Sequence, residues 1–344
     1  MKIFSDYHHG ALARWMLYLF GDRLGNDVYF PDSELGTKAN AAPTGVWGVW
    51  MPQSHTNLAI DDETWDKCGH SCGYDEFMSA TWDMVIITRP ESIPVFLRLG
   101  HPKPGTIYIG VSGNEGTAYD WHWIKHFIAS DLSSFNSAPA DLHKIHIPQE
   151  FGRRFDQGFI PVTEEGLHNV HSFTNNLKGF DNRIPVSCKG GPGVNIYNVW
   201  SDMVAALPDH RCACFGHTNK ETLGFDCLSE QYLPEKYHAA AVTWNFKTFE
   251  GYGHSLLQSL PAGRPVIVPS GFYDTRTAGR YLIEGVTCFH VDYDGADCAR
   301  KIKEVTGDLD TANENAKRCY DKYKEMFDWQ ADAECVREWL KETV

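Results

Sequence analysis

The feature that most restricts the fold of this chain is the run Ala239–Pro269, where two apolar stretches bracket a glycine turn and a short helical pattern. Ala239–Trp244 (AAAVTW) reads as a strand buried on both faces, and Pro265–Val268 as its neighbour. Between them, Gly251-Tyr-Gly253 permits a tight turn with close backbone approach. A helix over Ser255–Leu260, opening at about His254, is stopped by Pro261-Ala-Gly263. Strand, turn, helix and strand in that order make a βαβ unit, which needs a parallel sheet with helices on its faces.

The same alternation runs along the rest of the 344 residues. Lys2–Ser5, Val28–Phe30, Met84–Thr88, Thr106–Val111, Ile124–Ser130 and Lys144–Ile147 read as strands, with helices over Ala11–Phe20 and Ile93–Leu99. Residues 32–82, rich in Gly, Pro, Trp and charge, read as irregular. A second series contains strands at Asn169–Phe173, Arg211–Phe215 and Val286–His290 and helices at Asn195–Leu207 and Pro234–His238. The tail, Ala296–Val305 and Thr311–Thr343, reads as helical. Two successive α/β series imply two Rossmann-like domains facing across a cleft, joined by a linker at Gln149–Glu165. Ligands on such sheets bind at the carboxyl ends of the strands.

Composition narrows the function classes. A formal net charge of -14 disfavours non-specific binding to polyanions. No stretch reaches the roughly 18 consecutive apolar residues of a membrane span, and the opening residues, broken by Asp6, His8, His9 and Arg14, read as neither leader nor anchor. The ten cysteines are scattered, many in apolar runs, and read as free thiols of a reducing compartment, so the expected location is the cytoplasm. Cys68, His70 and Cys72 offer soft ligands, but a lone Cys-x3-Cys is poor spacing for a closed zinc site, and no metal is expected there.

The βαβ turn carries the chemistry. Amides at Gly253 and His254 open the helix without intrahelical partners, which suits a diphosphate. Glu250, just ahead of the turn, is placed to accept hydrogen bonds from sugar hydroxyls. Ser112, Asn114 and Glu115 close another strand, so their polar groups are expected at the same cleft, with Asp120 and Glu150 as weaker candidates. His143 and His146 read as structural.

The string Glu250-Gly251-Tyr252-Gly253, then His254-Ser255-Leu-Leu-Gln258, then Pro-Ala-Gly-Arg-Pro-Val-Ile, resembles the donor-binding element of retaining GT-B glycosyltransferases related to glycogen and sucrose synthases. In that family the position of Gln258 is an acid that holds the ribose hydroxyls. Gln258 accepts one hydrogen bond and donates another but lacks the charge-assisted strength. The resemblance implies the GT-B fold, with residues 1–160 on the acceptor side, residues 161–329 binding the nucleotide sugar, and a last helix over 330–344 crossing back to the first domain.

It also implies an Arg and Lys pair clamping the donor diphosphate, for which Arg183 and Lys189 have near-matching spacing and Lys178 and Lys247 are competitors. His8, His9 and Gly10 occupy the turn that faces the acceptor in the family. The implied reaction moves a sugar from a nucleoside-diphosphate sugar, UDP foremost, to an acceptor hydroxyl with retention. It uses no cofactor, needs no metal and involves no dedicated carboxylate nucleophile.

Two acceptors stand open. One is a glycan or small molecule. The other is a hydroxymethylated pyrimidine in phage-type DNA, since the compact chain and its opening Asp6–Trp15 run resemble such members, which act in the host cytoplasm. DNA requires a basic groove, for which Arg14, Arg23, Lys38, Arg89, Arg98, Lys103, Lys125, Arg153 and Arg154 are the available cations. The rival readings are a nucleotide-sugar epimerase of the same fold and a degenerate sugar-nucleotide-binding scaffold.

Overall fold

The computed structural model describes residues 1–6, 9–40, 50, 58–113, 116–174, 177, 194–215, 232–247 and 252–342. The chain divides into two compact units, Met1–Glu150 with Asp328–Val344, and Phe151–Phe327. The first division falls inside the stretch read as a linker. The segment Phe151–Ile160 goes with the second unit.

The first unit holds a parallel sheet of seven strands: β1 (Lys2–Ser5), β2 (Asp27–Pro31), β3 (Gly69–Cys72), β4 (Met84–Ile87), β5 (Ile107–Val111), β6 (His126–Ala129) and β7 (His143–His146), in the order β3-β2-β1-β4-β5-β6-β7. Strand alternation sorts its apolar residues into two cores. Ile3, Val28, Met84, Ile86, Ile109 and Ile128 lie on one face, and Phe4, Val85, Ile87, Tyr108, Phe127 and Ala129 on the other. Onto the first face pack Leu12, Trp15 and Met16 of the helix Gly10–Met16, which continues as a π-helix over Leu17–Arg23.

The second face is aromatic, and it accounts for the stretch that sequence patterning left irregular. Residues 33–79 contain one- and two-turn helices, Ser33–Asn40, Asp62–Cys68 and Tyr74–Ser79, besides β3. Helices this short display too few turns for a period to emerge. Tyr74–Ser79 is anchored by rings, Phe77 lying 4.6 Å from Phe4 and 6.0 Å from Trp82, centroid to centroid. Ser33–Asn40 adds Leu35 and Ala39 to the same core, and Asp62–Cys68 packs Trp65 and Cys68 on the first face.

The helix Trp329–Lys341 lays Ala333, Val336, Trp339 and Leu340 into the first core. Trp339 is 8% exposed and stacks on the His143 ring at 4.8 Å and 4°. His143 in turn faces His126, Nδ1 to Nδ1, at 3.2 Å.

The second unit holds five parallel strands, β8 (Asn169–Ser172), β9 (Arg211–Cys214), β10 (Val242–Trp244), β11 (Val266–Pro269) and β12 (Cys288–Val291), in the order β12-β11-β10-β8-β9. Helices Ile196–Ala205 and Gly295–Val305 pack closely because residue 295 has no side chain: a Cβ there would lie 2.5 Å from Asp202 Cβ. Cys68, Cys72, Cys214, Cys288, Cys298 and Cys319 are buried free thiols, as their apolar settings imply. No helix among the described residues is long and apolar enough to cross a membrane.

In the first sheet the strand order reverses between β1 and β4. Asp6 leaves β1 there, fully buried, and Thr88 leaves β4. Asp6 Oδ1 accepts from Thr88 N (2.6 Å) and Thr88 Oγ1 (2.8 Å), stitching the two strand exits together. Burial pushes the Asp6 carboxyl from its ordinary 3.8 up to about 6, against the opposing pull of the neighbouring Ser92 hydroxyl, the Thr88 hydrogen bonds and the Arg89 charge.

Two predictions concern stability. Between pH 4 and 6 the folded chain holds the Asp6 proton more tightly than the unfolded chain does. Stability from this group is therefore full below about pH 4 and is lost as pH rises through about 6. Asp6→Asn keeps an acceptor for Thr88 and cannot ionise. At pH 8 it should be more stable than the parent by up to about 3 kcal/mol, with the gap closing by pH 4. Urea unfolding at both pH values measures this, and equal gaps would refute the assignment. Trp339→Ala should cost about 3–5 kcal/mol by the same measurement, because the ring fills a core that also includes the first strand.

Candidate functional site

A reversal of strand order leaves a gap between the carboxyl ends of two adjacent strands, and a ligand can enter there. In the second unit the reversal lies between β8 and β10. The chain leaves β8 through Ser172-Phe-Thr174 and β10 through Asn245-Phe-Lys247. Thr174 Oγ1 donates to the Phe246 carbonyl at 3.3 Å and joins the two exits.

Asn245 is 2% exposed. Its amide N–H donates to the Ile267 carbonyl at 3.0 Å, and its Oδ1 accepts from Tyr273 Oη at 2.7 Å. Its Nδ2 lies 3.5 Å from Ser255 Oγ. The half-buried Lys247 donates from Nζ to the same Ser255 Oγ at 2.7 Å. One serine hydroxyl thus draws an amide and an ammonium to the start of the following helix.

That helix opens at Gly253, whose φ of 92° and ψ of 28° lie in the left-handed region, where a side chain is strained. The Gly253 carbonyl accepts from Leu256 N and Leu257 N at 3.0 and 2.9 Å. The helix is shorter than Ser255–Leu260: it covers His254–Leu257, a single turn. Beyond it the chain tightens into i→i+3 bonds, Ser259 N to Leu256 O and Leu260 N to Leu257 O. Two causes are local. Ser259 Oγ bonds Thr243 Oγ1 at 2.8 Å, and Pro261 has no N–H to continue the ladder. A single turn supplies amide donors at its start but little macrodipole, so a bound anion depends more on nearby cations.

Tyr252 is buried, with its ring 5.0 Å from that of His254. Tyr237, also buried, stacks on Phe173 of the β8 exit at 3.7 Å and 7°. Its hydroxyl donates to the Ser255 carbonyl at 2.6 Å and lies 3.4 Å from Gln258 Oε1. Lys247, Tyr252, Gly253, His254, Ser255 and Gln258 therefore belong to one strand exit and the turn after it. Glu250, Gly251, Lys178, Arg183 and Lys189 lie outside the described residues.

In the first unit, His9 is exposed and caps the helix that begins at Gly10, its Nδ1 accepting from Ala11 N at 3.3 Å. That leaves Nε2 to carry the proton of the neutral ring. His8, Asn114 and Glu115 lie outside the described residues. Ser112 is fully buried and works within the sheet: its Oγ accepts from Ser130 N at 2.8 Å, and its carbonyl accepts from Ser130 Oγ at 2.8 Å. Glu150 is held by Arg23 in a bidentate pair at 2.7 and 2.9 Å, and Asp120 caps a local turn through His122 N.

The other cations considered for a basic groove are engaged as well. Arg14 donates to the Leu58 carbonyl, Lys103 to Met78, Lys125 to Trp121 and Arg98 to Ala39. Lys38 pairs with Glu34 and Arg89 with Glu91. Arg153 and Arg154 fall in the second unit. Cys68 and Cys72 donate their thiols to the carbonyls of Thr64 and Gly73, while His70 faces Asp27 at 3.3 Å and stacks on Tyr29.

The structure adds Asn245, Thr174, Tyr273 and Asp6 to the groups that sequence reading selected. Asn245 and Asp6 each follow an apolar strand directly, a signal present in the sequence. Tyr273 reaches Asn245 across 28 positions, and no local pattern marks it.

No protein-family model and no curated protein sequence matches this chain. Solved structures do. HepE from Anabaena, in complex with UDP and glucose, matches with a TM-score of 0.61 at 12% identity over 99% of both chains. The sucrose-phosphate synthase of Thermosynechococcus elongatus matches at 0.58 and 12%, over 100% of this chain and 99% of the other. WaaG, a glycosyltransferase involved in lipopolysaccharide biosynthesis, matches at 0.56 and 12% over 98% of each. With two parallel sheets of seven and five strands, the chain has the GT-B fold of these proteins.

Proposed function

We propose that this protein is a glycosyltransferase that moves a sugar from a nucleoside-diphosphate sugar, with UDP as the nucleotide, to an acceptor hydroxyl. The observation that carries this reading is the β10 exit. There Lys247, Ser255 and the Gly253 turn converge at the strand reversal of a fold shared end to end with a protein solved with UDP and glucose. In this reading Phe151–Phe327 is the donor side, and Met1–Glu150 with Asp328–Val344 is the acceptor side.

The chemistry follows from charge. Cleaving the sugar–phosphate bond leaves negative charge on the diphosphate, so catalysis requires donors fixed where that charge develops. Amides of Gly253 and His254 and the Lys247 ammonium provide one set, and Arg183 and Lys189 a second. Glu250 accepts from the sugar hydroxyls and orients the ring, and Gln258 meets the ribose. The departing phosphate takes the acceptor proton on the face of attack, so the anomeric configuration is retained and neither a metal nor a carboxylate nucleophile is required. His8, His9 and Gly10, with Asn114 and Glu115, border the acceptor.

The acceptor proposed is a sugar or small-molecule hydroxyl rather than DNA. Supporting this, the first-unit cations available for a groove are committed to carboxylates and carbonyls, and the chain carries a net charge of -14. A cytoplasmic location is consistent with the buried free thiols.

A thermal-shift panel of UDP-, GDP-, ADP- and TDP-sugars tests the donor. The true donor at 100 times its Kd should stabilise the protein by about 2.7 kcal/mol, and no shift with any of them would overturn the reading. Glu250→Ala and Lys247→Ala should each lower transfer by about a hundredfold or more while the fold is kept. Transfer at the parent rate in Glu250→Ala would remove that residue from the mechanism. Conversion of donor alone, without acceptor, would point instead to an epimerase.

A further inference from the structure

Away from the strand reversals, Glu284, Cys288 and His290 bring a carboxylate oxygen, a thiol sulfur and an imidazole nitrogen within 4.8 Å of one another. The turn that leads into β12 builds this cluster. The Ile283 carbonyl accepts from Val286 N, Thr287 N and Cys288 N at 3.0, 2.9 and 3.2 Å, and Gly285 N donates to the Cys288 carbonyl at 2.9 Å. Thr287 Oγ1 accepts from Ile283 N and donates to the Tyr281 carbonyl, both at 2.7 Å. The chain is thereby folded back so that Glu284 bridges to Cys288.

Cys288 and His290 are two residues apart in β12 and so share a face. Glu284 Oε2 accepts from His290 N at 2.8 Å and lies 2.7 Å from His290 Nδ1, while Cys288 Sγ lies 3.9 Å from the same nitrogen. The sulfur is on the buried side, the imidazole is half-buried and the carboxylate is exposed, so the cluster opens outward on one side only.

We propose that Glu284, Cys288 and His290 form a three-ligand site for a divalent cation of the zinc class, with the fourth position taken by water. One sulfur, one nitrogen and one oxygen donor make a mixed set that zinc and cobalt accept in tetrahedral geometry. Metal–nitrogen and metal–sulfur bonds of about 2.0 and 2.3 Å place those two atoms roughly 3.5 Å apart in a tetrahedron. The Cys288–His290 gap thus needs to close by only a few tenths of an ångström. The Glu284–His290 contact has to open by roughly 0.6 Å, which rotation of the exposed carboxylate provides. On binding, the Cys288 sulfur coordinates as thiolate and its proton passes to solvent. An ion pair at a sheet edge needs only Glu284 and His290, whereas the sulfur on the same face supplies the third ligand.

Position in the sheet separates this site from the proposed transfer. β12 is the edge strand beyond β11, so one strand lies between Cys288 and His290 and the end of β10 from which Asn245–Lys247 leave. The cation braces the turn into edge strand β12 rather than touching the donor.

Titrating the full chain with Co2+ is the test. One equivalent should bind, with thiolate-to-cobalt absorption in the near ultraviolet that Zn2+ abolishes. Cys288→Ser should lose that absorption, His290→Gln should weaken Co2+ by at least about tenfold, and Zn2+ should raise the melting temperature of the parent but not of His290→Gln. Glu284→Gln, altered at an exposed position, provides the second affinity measurement if Cys288→Ser fails to fold. Binding without thiolate absorption, or with unchanged affinity in both His290→Gln and Glu284→Gln, overturns the site. UDP-sugar shifts measured on the same samples should not change with Zn2+, so failure here and failure of the donor reading are separately visible.

Discussion

Both sheets consist of parallel strands, and that constraint governs where this protein can hold polar groups. Parallel strands are covered on both faces, and every crossover helix returns the chain to the same end. Strand interiors are therefore mostly apolar, and many polar side chains that enter the buried layer do so where strands end, whereas His171 and Thr243 inside β8 and β10 are paired with the Lys236 carbonyl and Ser259 Oγ. The pattern is explicit here. Asp6 follows β1, Thr88 follows β4, Ser112 follows β5, Ser130 and Asp131 follow β6, and Asn245 follows β10, all buried. Three of them take a partner from a neighbouring exit, Asp6 from Thr88, Ser130 from Ser112 and Asn245 from Tyr273, whereas Asp131 caps its own helix by accepting from Ser134 N. Unsatisfied, such groups would each cost about 1–3 kcal/mol. Paired, they fix the strand ends.

The same constraint explains what was legible in the sequence. A strand buried on both faces leaves a continuous apolar run, so MVII, IYIGV and VIVP stand out without any alignment. The short helices between Ser33 and Ser79 leave no such trace, because each spans one or two turns and is placed by contacts outside itself, as Phe77 is by Phe4 and Phe96. The glycine turn was legible because Gly253 meets a backbone requirement that few other residues can. The true length of its helix was not, since a serine pairing with the preceding strand and a proline cut it to one turn. Tyr237 and Tyr273, which complete the β10 exit, carry no local mark at all.

The two strand reversals use different electrostatics. At β1/β4 the pKa of a buried carboxyl is raised to about 6 by desolvation, its hydrogen bonds only partly compensating. At β8/β10 the buried group is a neutral amide, and the charge stands on Lys247 at the edge, where the chain leaves the sheet. A neutral interior with a cation at the rim suits an anionic ligand: the amide imposes no repulsion, and the ammonium keeps part of its hydration until the ligand arrives.

Gln258 is best understood in this setting. Its Oε1 lies 3.4 Å from a tyrosine hydroxyl whose proton is already directed to the Ser255 carbonyl at 2.6 Å. A carboxylate at this position would compete for that proton, pulling Tyr237 away from the backbone of the turn that carries Gly253. The amide competes weakly, because a neutral acceptor draws a hydroxyl proton less strongly than a charged one. Its Nε2 also presents donors that a carboxylate lacks. An amide rather than an acid at residue 258 therefore relaxes the competition at Ser255, the residue that also receives Lys247. The amide at residue 258 and the geometry of the lysine are in this sense linked, through Tyr237 and Ser255.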